Sequence, residues 1–144
     1  MKTKEKAFNK MLLWYAAILV AMCTVVQITS AIRGSRLDGV DMLMLAVVFV
    51  YYMYFHFVSY KTLSKVRFGR LVAHVIGFLI VNLSFHLHAA IMLIAHASGS
   101  GELAVSLSPE WFGVLFGMFI VWGAGLLAHL VISVTLRGYE ELKA

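Results

Sequence analysis

The stretch LVAHVIGFLIVNLSFHLHAAIMLIAH at residues 71–96 runs its whole length without an Asp, Glu, Lys or Arg. A helix rises about 1.5 Å per residue and the hydrocarbon core of a bilayer is about 30 Å thick, so about 20 apolar residues suffice to cross it. A barrel strand would alternate polar and apolar residues over about 10 positions, and this run is continuously apolar. A lone strand hairpin would also leave backbone groups unpaired in lipid. The stretch therefore reads as a transmembrane helix. It carries four of the chain's six histidines, His74, His86, His88 and His96.

Three similar runs complete the chain, at about 11–29, 40–60 and 111–136. With 62% hydrophobic and 13% charged residues among 144, the composition lies far from that of a soluble domain. The connections are too short to hold a soluble domain. The expected architecture is thus all-α: a polytopic membrane protein, residues 1–144 as one domain, with four transmembrane helices in an antiparallel bundle. Residues 1–65 form a first helical hairpin and 66–144 a second.

Orientation follows from the basic residues. Lys2, Lys4, Lys6 and Lys10 precede the first span, Lys61, Lys65, Arg67 and Arg70 separate the second and third, and Arg137 and Lys143 follow the fourth. Only Arg33 and Arg36 fall on the other side. Basic loops stay cytoplasmic, so both termini are expected there, in a multi-pass protein of the cell's inner (plasma) membrane. Trp14, Trp111, Tyr60 and Tyr139 near span ends read as interfacial aromatics. The net charge of +5 is accounted for by this topology and by anionic lipid, with no call for nucleic acid. The first apolar run is longer than a cleaved signal's and lacks a small-x-small exit. The single Cys23 excludes an internal disulfide.

The loops carry turn and cap signals. Residues 33–39 contain two glycines and form a tight outer turn; Ser108 and Pro109 read as the cap and first turn of the fourth helix. His56 and His129 are 73 residues apart, as are Thr62 and Thr135, and Leu63 and Leu136. That shared offset suggests two related hairpins.

Ionisable side chains inside a span are costly and call for a reason. Folding the hairpins about their loops puts residues at equal depth when their numbers sum to about 130 across the inner turn, or about 206 across the second outer loop. His56, His74 and His129 then fall at one level, on three different helices, near the cytoplasmic side. His88 lies deeper, level with Asp41 and Met118 and near Thr24, Gln27 and His86. His86 and His88 are two apart, hence about 200° around the helix, and face different ways. His96 reads as interfacial.

Three histidines from three helices admit several chemistries. Neutral imidazole is a common metal ligand, so His56, His74 and His129 are candidate metal ligands. Facing histidines also clamp haem iron, making the same residues candidate haem b ligands, with His88 and Met118 as a second, less complete pair. Proton relay and plain hydrogen bonding between helices are the other options. No Ser–His–Asp set, carboxylate pair, phosphate loop or cysteine pair is present, which points away from an enzyme. Gly113, Gly117, Gly123 and Gly125 give the fourth span small residues for close packing, between protomers of a homo-oligomer in particular. The aromatic run 51–55 reads mainly as lipid-facing bulk.

The second hairpin resembles the bacterial two-transmembrane (2TM) domain family. The matching pieces are Arg70-Leu-Val-Ala-His74 with Phe78 and Asn82, then Trp111-Phe112, then Trp122-Gly-Ala-Gly-Leu-Leu-Ala-His129, and the tail Arg137-Gly-Tyr-Glu-Glu141. About residues 66–141 are covered. The resemblance implies a small membrane module, sometimes joined to signalling partners, in which His74, Asn82, Trp122 and His129 matter together. The expected function is a non-enzymatic membrane sensor or regulatory module, the expected partners being further copies of the chain and a cytoplasmic or membrane signalling protein. A b-type cytochrome exchanging electrons with quinone, and an oligomeric pore or membrane effector, are the alternatives.

Overall fold

The computed structural model describes residues 2–66, 68–98 and 109–135, and among these all regular structure is helical. Five helices follow in order: α1 (Lys2–Ile32), α2 (Gly39–Val58), α3 (Tyr60–Leu63), α4 (Gly69–Ala97) and α5 (Pro109–Thr135). All but the single turn α3 are long and apolar enough to cross a membrane. α1 outruns the expected 11–29 at both ends, because Lys, Glu and Ala in its first turns are good helix formers that need no lipid to stay helical. The inner connection, read as a loop, contains α3. Ser108, Arg67, Leu136, Arg137, Tyr139 and Lys143 lie outside the described residues, as do the side chains of Lys2 and Lys4.

The outer turn is fixed by its own polar groups. Gly34 adopts a positive φ of 80° and Ser35 one of 56°, reversing the chain after α1. Asp38 caps α2, accepting from the backbone N–H of Val40 at 2.8 Å and of Asp41 at 3.4 Å. Asp41 completes the box by accepting from the Asp38 N–H at 3.1 Å. Arg33 pairs with Asp38, and with the buried Asp41 at 3.4 Å. Arg33 is thereby neutralised within its own turn.

α4 is the centre of the packing: it lies against α1 and α5, and more lightly against α2, while α1 also packs on α2. Tyr15, Leu19, Cys23 and Val26 on α1 meet Val81, Phe85, Ala89 and Met92 on α4, with Val48 of α2 in the same core. These α1 positions recur every three or four residues, the spacing of one helix face. Outward-facing residues are strongly apolar, as at Leu13, Leu43, Phe57, Leu83, Ile94 and Ile120. A surface so apolar is suited to lipid, not water.

Glycine is required where it was not singled out. A Cβ on Gly77 would sit 2.5 Å from the Tyr15 hydroxyl and 3.0 Å from the Tyr52 ring. Conversely, Cβ atoms on Gly113, Gly117 and Gly125 would meet nothing within 4 Å, and one on Gly123 only Phe78 at 3.7 Å. The glycines of α5 are thus not used for close contact among the described residues. Gly77→Ala is expected to cost about 1–3 kcal/mol through overpacking, and Gly117→Ala to be neutral or mildly stabilising; thermal unfolding in detergent compares the two.

Candidate functional site

The three histidines placed at one depth by the sequence meet as a stack. The His56 and His74 rings lie 3.8 Å apart, centroid to centroid, with planes 9° from parallel. The His74 and His129 rings are also 3.8 Å apart, at 20°. His74, buried on α4, is the middle ring; α2 supplies one neighbour and α5 the other. The two residues related by the 73-residue offset therefore cover its opposite faces. The same offset relates Phe49 to Trp122, whose rings also touch, edge to face at 5.9 Å.

Tyr52 holds the middle ring. Its hydroxyl is hydrogen-bonded to His74 Nδ1. The phenol donates when that nitrogen is bare and accepts when it carries a proton, so the direction of the bond follows the ring's tautomer and charge. Tyr52 stands one helical turn before His56, on the same face of α2, and its ring also packs against His56 at 4.5 Å and Trp122 at 4.3 Å. Behind it, Tyr15 stacks on Phe55 at 3.9 Å and 12°. The aromatic run is thus divided: Tyr51, Tyr52 and Phe55 turn inward while Met53 and Tyr54 face out. The expectation of lipid-facing bulk holds only for the outward pair.

The stack forms one wall of a cleft of about 330 Å³ between α2, α4 and α5, since α2 and α5 are not themselves a closely packed pair. Trp122, Phe49 and Val121 line its deeper part; Tyr60 and Arg70 line the end toward the inner connection. The Arg70 guanidinium lies 4.6 Å over the Tyr60 ring, a cation–π contact. His56 Nε2 is buried and has no hydrogen-bond partner among the described residues.

This arrangement decides what the rings can hold as they stand. A metal ion binds imidazole in the ring plane, at about 2.0–2.1 Å from nitrogen. Rings stacked face to face keep their lone pairs in separate parallel planes, so one ion cannot lie in both. No group of three His, Cys, Asp or Glu among the described residues is arranged to hold a metal. A bis-histidine haem needs the porphyrin between its two axial rings, and rings in contact at 3.8 Å leave no room for it. The haem and metal expectations for His56, His74 and His129 therefore do not fit this packing.

His88 belongs to a separate outer cluster. Its Nδ1–H donates to Gln27 Oε1 at 2.6 Å, and its Nε2 accepts from the Ser35 hydroxyl at 3.1 Å. Both ring nitrogens are thus hydrogen-bonded within the cluster. Trp111 packs edge-on against His88 at 4.9 Å and donates from Nε1 to the Ser35 carbonyl at 2.7 Å. Fully buried, Trp111 is not the interfacial aromatic expected; it ties the α1–α2 turn to α4 and α5. His86 faces outward and bonds the Asn82 carbonyl of the preceding turn at 2.8 Å.

Of the four residues grouped by the 2TM resemblance, His74 and His129 stack and Trp122 lines their cleft. Asn82 lies two turns further along α4, donating to the Phe78 carbonyl at 3.0 Å, its side-chain carbonyl buried with no partner among the described residues. Tyr52, Tyr15 and Arg70 were not singled out as site residues. Comparison with protein-family models, with curated proteins and with solved structures gives no match to the chain.

Proposed function

We propose that the chain is a non-enzymatic sensor or regulatory module of the inner membrane, an antiparallel four-helix bundle with both termini cytoplasmic, switched at the His56–His74–His129 stack. The stack itself carries this reading: three titratable rings, each from a different helix, are held face to face beside an open cleft. Histidine changes charge nearest to physiological pH. Adjacent charges 3.8 Å apart would repel by roughly 4 kcal/mol at an effective dielectric of about 20, so two protons go to the outer rings, His56 and His129, where repulsion across His74 is roughly 2 kcal/mol. That force acts along the stack, driving α2 and α5 away from α4.

The outer cluster makes such a movement a rocking one. Ser35, His88 and Trp111 bind the outer ends of the helices together, while the cleft leaves the inner ends of α2 and α5 free to separate. A change there alters the basic cytoplasmic face presented to a signalling partner. The resemblance of the second hairpin to 2TM modules would suit a regulatory role, and the glycines of α5 that touch nothing among the described residues suit packing against a second copy.

Trp122 offers a built-in reporter, 4.3 Å from Tyr52 across the cleft. Its emission, isolated as the difference between the parent and Trp122→Phe, is expected to change sigmoidally from about pH 8 to about pH 4. The change should vanish in the His56→Phe, His129→Phe double variant. A flat titration in the parent, or an unchanged one in the double variant, would contradict the switch.

A further inference from the structure

We infer that the cleft between α2 and α5 takes one acyl chain of an anionic phospholipid from the cytoplasmic leaflet, with the phosphate held at Arg70. This rests on the topology and the site proposed above. The cleft has two unlike ends. At the inner end stand Arg70 and Tyr60, and Arg70 has no carboxylate partner among the described residues. The neighbouring sequence adds positive charge: residues 59–70 include Lys61, Lys65 and Arg67 and no Asp or Glu. A guanidinium at a headgroup depth, with no carboxylate partner among the described residues, is a phosphate-binding arrangement.

The other end is shaped for a hydrocarbon chain. From Phe49 on α2 to Tyr60 at the start of α3 is 11 residues, roughly 16 Å at helical rise, and Phe49, Met53, Val121 and Trp122 are among the walls over that length. Phe49, Met53 and Val121 are exposed, so the cleft opens sideways to lipid and a chain enters without leaving the bilayer. Gly125 leaves its side of the wall open, with nothing within 4 Å of where a Cβ would stand. A chain in this position lies against the stack, so separation of α2 and α5 and occupancy by lipid are coupled.

The test titrates the purified full-length protein in detergent with phosphatidylglycerol, phosphatidylcholine, laurate and inorganic phosphate, reading bound lipid by native mass spectrometry and affinity by thermal shift. Phosphatidylglycerol is expected to bind at least about tenfold more tightly than phosphatidylcholine: both offer a phosphate to Arg70, but choline brings a second cation beside the guanidinium. Arg70→Gln should remove that preference, while Lys61→Gln with Lys65→Gln should keep it. Gly125→Leu, which fills the cleft and favours helix, should block both lipids with helix content unchanged. Equal binding of the two lipids, full competition by inorganic phosphate, a preference for laurate, or a preference that follows Lys61 and Lys65 would each overturn the site. Loss of the lipid preference with the pH response of Trp122 intact would reject the lipid site alone; the reverse pattern would reject the switch alone.

Discussion

His74→Ala is expected to cost about 2–4 kcal/mol and to blunt the response to pH. The variant loses both stacking contacts of the middle ring, each worth about 0.5–1.5 kcal/mol, and leaves the Tyr52 hydroxyl without its partner, at about 1–3 kcal/mol. These terms overlap, so their sum is an upper bound. His74→Phe separates structure from switching: it refills the space and restores much of the stability, yet carries no titrating nitrogen. Thermal unfolding in detergent measures the first effect and Trp122 emission the second. A His74→Phe protein with a full pH response would place the switch in the outer rings alone.

Trp111→Ala is expected to be more damaging still, about 3–5 kcal/mol, the range for emptying a fully buried aromatic site. Trp111 is 0% exposed and is the residue through which α5 holds the outer turn. Trp111→Phe keeps most of the volume and loses only the bond to the Ser35 carbonyl, so a cost nearer about 1–3 kcal/mol is expected. The site of damage is as informative as its size. Loss of the outer tie should loosen α5 relative to the α1–α2 turn, seen as faster hydrogen exchange at 33–41, while α1 and α4 stay paired through Leu19, Cys23, Val81 and Phe85.

Much of this was legible in the sequence because lipid imposes a simple rule. Backbone groups must be satisfied within a segment, so continuously apolar runs become helices and charges mark their ends. The same rule made depth readable, and numbering across the loops brought His56, His74 and His129 level before any coordinates. Direction around each helix was not readable in this way. Nothing in the depth sums distinguishes rings that meet face to face from rings whose nitrogens converge, and that difference separates a stack from a metal or haem site. Tyr52 was hidden for a related reason: inside the run 51–55 every neighbour is also bulky, so its place one turn before His56 carried no contrast. Trp111 misled because its distance from the span end suits an interfacial anchor, while its burial depends on the turn at Gly34 and Ser35 reaching across from the first hairpin. The glycines misled in the opposite sense. Those of α5 advertise close packing that the described residues do not use, whereas Gly77, a single glycine among bulky residues, is the one that two tyrosines require.

The most direct test of the switch measures the separation of α2 and α5 at their inner ends. Nitroxide labels at Phe57→Cys and Val131→Cys, both exposed positions, in a Cys23→Ala background, report that distance by electron–electron resonance. Lowering the pH from about 8 to about 4 is expected to widen it by about 2 Å or more, the scale of helix shifts in switching proteins, with no change when His56 and His129 are both phenylalanine. An identical distance distribution at both pH values in the parent protein would contradict the account.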